Sequence, residues 1–187
     1  MSIKYSPSER EMLTKIAVDF LKGKTTDRHG RKITDFMNLS EREMEDDHEW
    51  IQWVFPINTP SPHNPFAGQI FDGASGYFRQ GSTLANQQTN FLNKYSDSIG
   101  LGWRNGKPDP QKFFSVINDP YNHHVKRISR VLKHLMLTGK QYCAQNWFSW
   151  LLQMIGYNPN VISGYTVALW AAIVYDNEYY LNHYQTP

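Results

Sequence analysis

Apolar positions along this chain recur at spacings of three and four, and no stretch of useful length alternates in the period-two manner of a half-buried strand. Ser6-Pro7-Ser8-Glu9 is a capping box with proline at the first helical position. The helix it opens should carry Met12, Leu13, Ile16, Val18, Phe20 and Leu21 inward and stop near Gly23. A polar loop follows over 25–32, then a short helical turn over 34–37. Ser40-Glu41-Arg42-Glu43 is a second capping box. The pattern predicts one helix over 40–55, stopped by Pro56 because the residue before a proline avoids the helical region. On that helix Met44, His48, Ile51 and Phe55 share one stripe, with Gln52 beside it. Buried polar groups need partners, since stranding one costs about 1–3 kcal/mol. His48 and Gln52 therefore either tie the core together or line a pocket.

Beyond this helix, Pro56, Pro60, Pro62 and Pro65 make a stiff extended loop, and glycines punctuate 68–81. Ser82 can cap a helix running to 99, with Leu84, Phe91, Leu92, Tyr95 and Ile99 inward. Gly100, Gly102 and Gly106 mark the next loop, and Asp109-Pro110 restarts a short helix with Phe113, Phe114, Val116 and Ile117. A longer helix over 120–138 ends at Gly139, another over 141–155 ends at Gly156, and Ser163 precedes a last apolar helix through 180. The expected fold is all-α: a single-domain bundle of about six or seven helices with long Pro/Gly-rich loops.

Composition narrows the function classes. Aromatic residues at 14% and charged residues at 19% describe a globular chain, not a disordered one. A net charge of +2 gives the whole molecule no strong pull toward nucleic acid or membrane, so a basic site has to be a local patch. Cys143 is the sole cysteine, which excludes an intramolecular disulfide and a Cys-based zinc site. In its apolar helix it reads as a small core residue. No apolar run follows the first residues, so no signal peptide is expected. The most apolar segment, 167–174, is far shorter than the ~20 residues of a membrane helix. The expectation is a soluble, cytoplasmic protein.

The helix over 120–138 carries the main candidate chemistry. Val125, Ile128, Leu132, Leu135 and Met136 form its apolar stripe. His123, Lys126, Arg127, Arg130, Lys133 and His134 project from the other side, with no acidic residue among them to form an i,i+4 pair. That face is either a solvated surface or an anion site for phosphate, carboxylate or an acidic partner, to which the planar fork of arginine is suited. Lys126 and Lys133 lie farthest from the stripe and should face water. Arg127 lies nearer its boundary, Arg130 lies between and could reach the same region, and these two are the stronger anion candidates. Elsewhere, Asp46, Asp47, His48 and Glu49 point about 100° apart in turn on a helix and cannot converge on one ion. Glu45 and His48 have the Glu-x-x-His spacing of di-iron bundles, but no second such pair exists. There is no Gly-x-x-x-x-Gly-Lys-Ser/Thr loop and no Gly-x-Ser-x-Gly elbow. No metal and no cofactor is implied.

Three ordered segments resemble the conserved region of the opioid growth factor receptor family. Glu45-Asp46-Asp47-His48-Glu49-Trp50-Ile51-Gln52-Trp53-Val54-Phe55-Pro56 is similar to that family's Glu-x-x-His-x-Tyr-Ile-Gln-Trp-Leu-Phe-Pro pattern. Upstream, Asp27-Arg28-His29-Gly30-Arg31 resembles its Asp-Gly-Arg element. Downstream, Asn122-His123-His124-Val125-Lys126-Arg127-Ile128-Ser129-Arg130-Val131-Leu132-Lys133-His134-Leu135, followed by Gly139, resembles its Asn-His-x-x-x-Arg-Ile-Thr-Arg-Ile-Leu-Lys-x-Leu segment. The stretch 93–101 is similar in place and character. The likeness spans about 25–155; the loop after Phe55-Pro56 is richer in proline here, and the chain reads as a bare domain without the repeat tails of the animal receptors. The family name implies binding of an opioid peptide. The segments expected on this basis are an N-terminal helix over 1–24, the receptor-like region over 25–156, and a C-terminal helix over 157–187 packed on the same domain.

Two function classes follow. In the first, the chain is a non-catalytic binding domain. Glu45, His48, Gln52 and Trp53 on one helix and Asn122, Arg127 and Arg130 on another would line a polar cleft, taking a small anionic molecule or an acidic protein segment. In the second, it is an enzyme acting on a nucleotide or phosphoester, with His48 as general acid or base and an arginine stabilising developing charge. Nucleic-acid binding through the basic helix is a weaker third class, since it requires exposed aromatics beside that helix.

Overall fold

The computed structural model describes residues 4–71, 73–104, 106–118 and 123–175. The chain is all-α, and no strand occurs among the described residues. These residues hold nine α-helices: α1 Pro7–Leu21, α2 Ile33–Met37, α3 Glu41–Asp46, α4 Trp50–Val54, α5 Thr83–Ser98, α6 Pro110–Ile117, α7 His123–Leu137, α8 Gln141–Tyr157 and α9 Gly164–Tyr175. A 3-10 turn, Ala74–Phe78, adds to them. The expected six or seven is exceeded because the turn expected over 34–37 is a helix and the helix expected over 40–55 is two. The chain divides into two compact units, 1–91 and 92–187, with the division inside α5. No described helix is long and apolar enough to cross a membrane.

In the first unit, α1 starts on the expected capping box: Ser6 Oγ accepts from Glu9 N, and the Glu9 carboxylate accepts from Ser6 N. The Glu9 carboxyl is held below the usual range chiefly by the Ser6 hydroxyl, which donates to it at 2.7 Å, and next by Ser6 N. Ala17, Val18, Phe20 and Leu21 are buried, whereas Met12 and Ile16, expected inward, are exposed. α1 packs on α4, with Phe20 against the Trp53 ring at 4.5 Å between centroids. The proline-rich segment is pinned to α1 by Gln69 N donating to Leu13 O. Gly68 is required beside it, because a Cβ there would lie 2.3 Å from Ala17 N.

The break between α3 and α4 corrects the expected continuous helix. Asp47 leaves the helical region at φ −86°, ψ 109°. Its Oδ1 accepts from Glu49 N at 2.7 Å and Trp50 N at 3.3 Å, so it starts a new helix and does not continue the old one. Trp50 Nε1 donates to Met44 O at 2.7 Å, satisfying a carbonyl near the end of α3. Arg31 fixes the junction: its guanidinium binds Asp27 Oδ2 through Nε and Asp47 Oδ2 through Nη1, and stacks over the Phe36 ring at 4.5 Å. Arg28 pairs with Glu49. Two sequence segments 16 or more residues apart are thus joined through charge-assisted hydrogen bonds in one unit.

In the second unit, α7 packs against α8 and α9, which also pack on each other, and α6 contacts α7 and α8. Three tryptophans tie the elements together through their indole N–H groups. Trp147 donates to Ser96 Oγ at 2.7 Å, Trp170 to Ser129 Oγ at 2.9 Å, and Trp103 to Asn146 Oδ1 at 2.7 Å. Cys143 is half-buried and so not the core residue expected. Burial pushes its thiol up, against a lowering influence from Arg104 and Lys140.

Arg31→Ala should cost about 2–4 kcal/mol in urea unfolding, because it removes the cation that pairs with the fully buried Asp27 carboxylate and with Asp47. Arg42→Ala, which removes an exposed pair with Asp46, should cost less than about 0.5 kcal/mol. Equal losses in the two variants would show that the Arg31 bridge does not hold the junction.

A buried cationic row on helix α7

The candidate residues of the first unit are spread over the α3–α4 junction. Glu45, near the end of α3, is half-buried. His48 is exposed, which overturns its expected place on a buried stripe: the backbone turn at Asp47 carries it out of both helices. Gln52 is buried on α4, and its Nε2 donates to Ser61 Oγ at 3.4 Å. Its Oε1 has no hydrogen-bond partner among the described residues. Trp53 is buried against Phe20.

The candidates of the second unit behave differently. Asn122 lies outside the described residues. Arg127 and Arg130 are 5% and 7% exposed, and Lys133 only 1%. His124 and His134 are buried with them, while Lys126, in the first turns, is exposed. This corrects two expectations. The basic face is not a solvated surface from Arg127 onward, and Lys133 does not face water. Arg127, Arg130 and Lys133 follow one another at intervals of three, so they form a row winding slowly along α7. At the start of the helix the His124 ring stacks on Tyr95, with 6.2 Å between centroids and 14° between planes, and its Nδ1 lies 3.3 Å from the Tyr95 hydroxyl.

Lys133 was legible in one respect. Leu137 lies one turn beyond it on the same face, as does Arg130 one turn before. An apolar residue in the middle of a cationic face signals that this end of the face is covered, and Leu137 is indeed buried.

Burial sets the electrostatics. It holds the Arg130 guanidinium down to about 10. It holds the Lys133 amine down to about 8, with the Arg130 charge adding to the effect. Removing a cation from water disfavours its charged form, and a like charge nearby does the same. Anionic oxygens reaching this row would reverse both effects, and two forked guanidinium groups with an amine between turns suit a group with several oxygens.

A scan against models of known families, a search of curated proteins and a search of solved structures each found no match to this chain.

The Lys133 amine should keep its proton to about pH 10.5 in the unfolded chain and only to about pH 8 when folded. Between these values the unfolded state binds the extra proton, so this group's contribution to stability rises with pH and is least favourable below pH 8. Relative to Lys133→Met, the wild type should gain about 3 kcal/mol in urea unfolding between pH 7.5 and 10.5. A constant difference across that window would mean that Lys133 is hydrated.

Proposed function

We propose that this chain is a non-catalytic helical binding domain, resembling the conserved region of the opioid growth factor receptor family, that recognises an anionic group through the cations of α7. The observation that carries the reading is the burial of Arg127, Arg130 and Lys133 in one row on a helix. Side chains placed in one row at intervals of three present their donors along one side of the helix, where a group with several oxygens can meet more than one of them. The anion in this reading is a phosphoryl or carboxylate group of a small molecule or of an acidic protein segment. Arg127 and Arg130 supply bidentate donors, and Lys133 supplies a point charge whose proton is retained more firmly once the anion is bound. The alternative of a phosphoester-cleaving enzyme draws less support, because its proposed acid–base residue, His48, stands exposed between two helices. A general acid or base works from within reach of the reacting group in a site that excludes water.

Calorimetric titration with inorganic pyrophosphate at low and high salt tests the reading. Binding should weaken at least tenfold in Arg127→Lys and in Arg130→Lys, which keep the charge and lose the fork. Lys126→Ala, at an exposed position, should leave it within about twofold. Near pH 8 the binding enthalpy should vary with the buffer's ionisation enthalpy, because the anion raises the Lys133 value and draws a proton onto the amine. Equal effects of Lys126→Ala and Arg127→Lys would instead mark a diffuse surface attraction, and no binding of pyrophosphate or of an acidic peptide would remove the proposal.

A further inference from the structure

From Gln141 to Tyr175 the chain contains no Asp, Glu, Lys or Arg, although 19% of the whole chain is charged. These 35 residues form α8 and α9 and the turn between them. One face of α9 is buried on its neighbours in the second unit, through Trp170, Ile173 and Val174. The other carries Tyr165, Ala168, Leu169, Ala172 and Tyr175, which stand at i, i+3, i+4, i+7 and i+10 and so share one side of the helix. Tyr165 is 80% and Tyr175 63% exposed; Ala168 is exposed, and Leu169 and Ala172 are half-buried. An amphipathic surface helix presents charge on its outer side. α9 presents none.

We propose that this face of α9 binds the same face of a second copy of the chain, the two helices crossing antiparallel about a two-fold axis near position 170. Order and charge both point to this occupant. Tyr165 and Tyr175 lie equally far from 170, and so do Ala168 and Ala172. Antiparallel pairing therefore sets each tyrosine of one copy beside the other tyrosine of its partner, and each small residue opposite a small one. Two alanines at the crossing let the helix axes approach to about 8 Å, and the tyrosines close over the ends. A two-fold contact uses one patch twice and must be complementary to itself; an uncharged patch buries no unpaired charge against its copy. A charged partner surface would lose its hydration here for nothing in return.

The area sets the strength. With roughly 200 Å² for each tyrosine, the exposed part of this face comes to roughly 400 Å² per copy, about half that of a standard stable interface. The association is therefore concentration-dependent and not permanent. It is independent of the anion reading, since α9 holds none of the α7 cations.

Sedimentation equilibrium of the full chain over about 1–300 µM should show a monomer–dimer equilibrium. Ala168→Glu should weaken it at least tenfold, as should Ala172→Lys, each with an unchanged circular dichroism spectrum. An equimolar mixture of the two variants should regain the wild-type association, because the antiparallel crossing places the glutamate opposite the lysine. Tyr142→Glu, at an exposed position on α8 outside the face, should leave association unchanged. A wild type that stays monomeric throughout overturns the proposal. So does a dimer indifferent to Ala168→Glu, or a mixture that remains as weak as its components.

Discussion

The second unit is organised around α7, which from Arg127 onward buries its apolar residues and its cations together. Ile128, Val131 and Leu132 are completely buried and Leu135 nearly so. Each is worth about 1.5–3 kcal/mol when removed from water. The cations on the remaining circumference are buried with them, which disfavours the charged forms of Arg130 and Lys133. Trp170 reinforces the arrangement, since its indole N–H is satisfied only by Ser129 Oγ on α7, which in turn donates to Val125 O. The buried cationic row thus lies within a packed core, and binding of an anion is the use proposed for it.

In the first unit the governing contact is polar. Arg31 links Asp27 to Asp47 and thereby stabilises the turn that separates α3 from α4. Burial alone would lower the Arg31 value, but its hydrogen bonds to Asp47 and Asp27 outweigh this and raise it. The Asp27–Arg31 and Glu45–Pro56 segments meet here through side-chain charge.

Most helices were legible because their starts are written locally. Ser6 with Glu9, Ser40 with Glu43, Ser82 and Asp109 each cap as expected, and the count of about six or seven helices is exceeded because the turn expected over 34–37 is a helix and the helix expected over 40–55 is two. There the helical wheel treated 40–55 as continuous and let the apolar spacing override Asp47, whose side chain prefers to cap a new turn. His48 was misplaced by that single error, while Gln52 beyond it was not. On α7 the wheel located the faces correctly but equated a polar face with a wet one. Burial is set by what packs from outside the helix, which spacing within it does not encode. Only Leu137 hinted at the cover. The turn at 100–108 was recognised from its glycines, yet its tightness, with a Cβ at Gly102 falling 2.5 Å from Lys107 O, is a tertiary fact.

Lys133 is buried in a row of cations, and the anion proposed to bind there would raise its pKa. Selective observation of the Lys133 side-chain nitrogen or adjacent carbon by NMR, through a pH titration of the intact chain with and without pyrophosphate, tests it at the atom concerned. The expected result is titration near pH 8 in the free protein and at least one unit higher with the anion bound. A free value at the ordinary 10.5, or a depressed value that pyrophosphate leaves unmoved, would contradict the account.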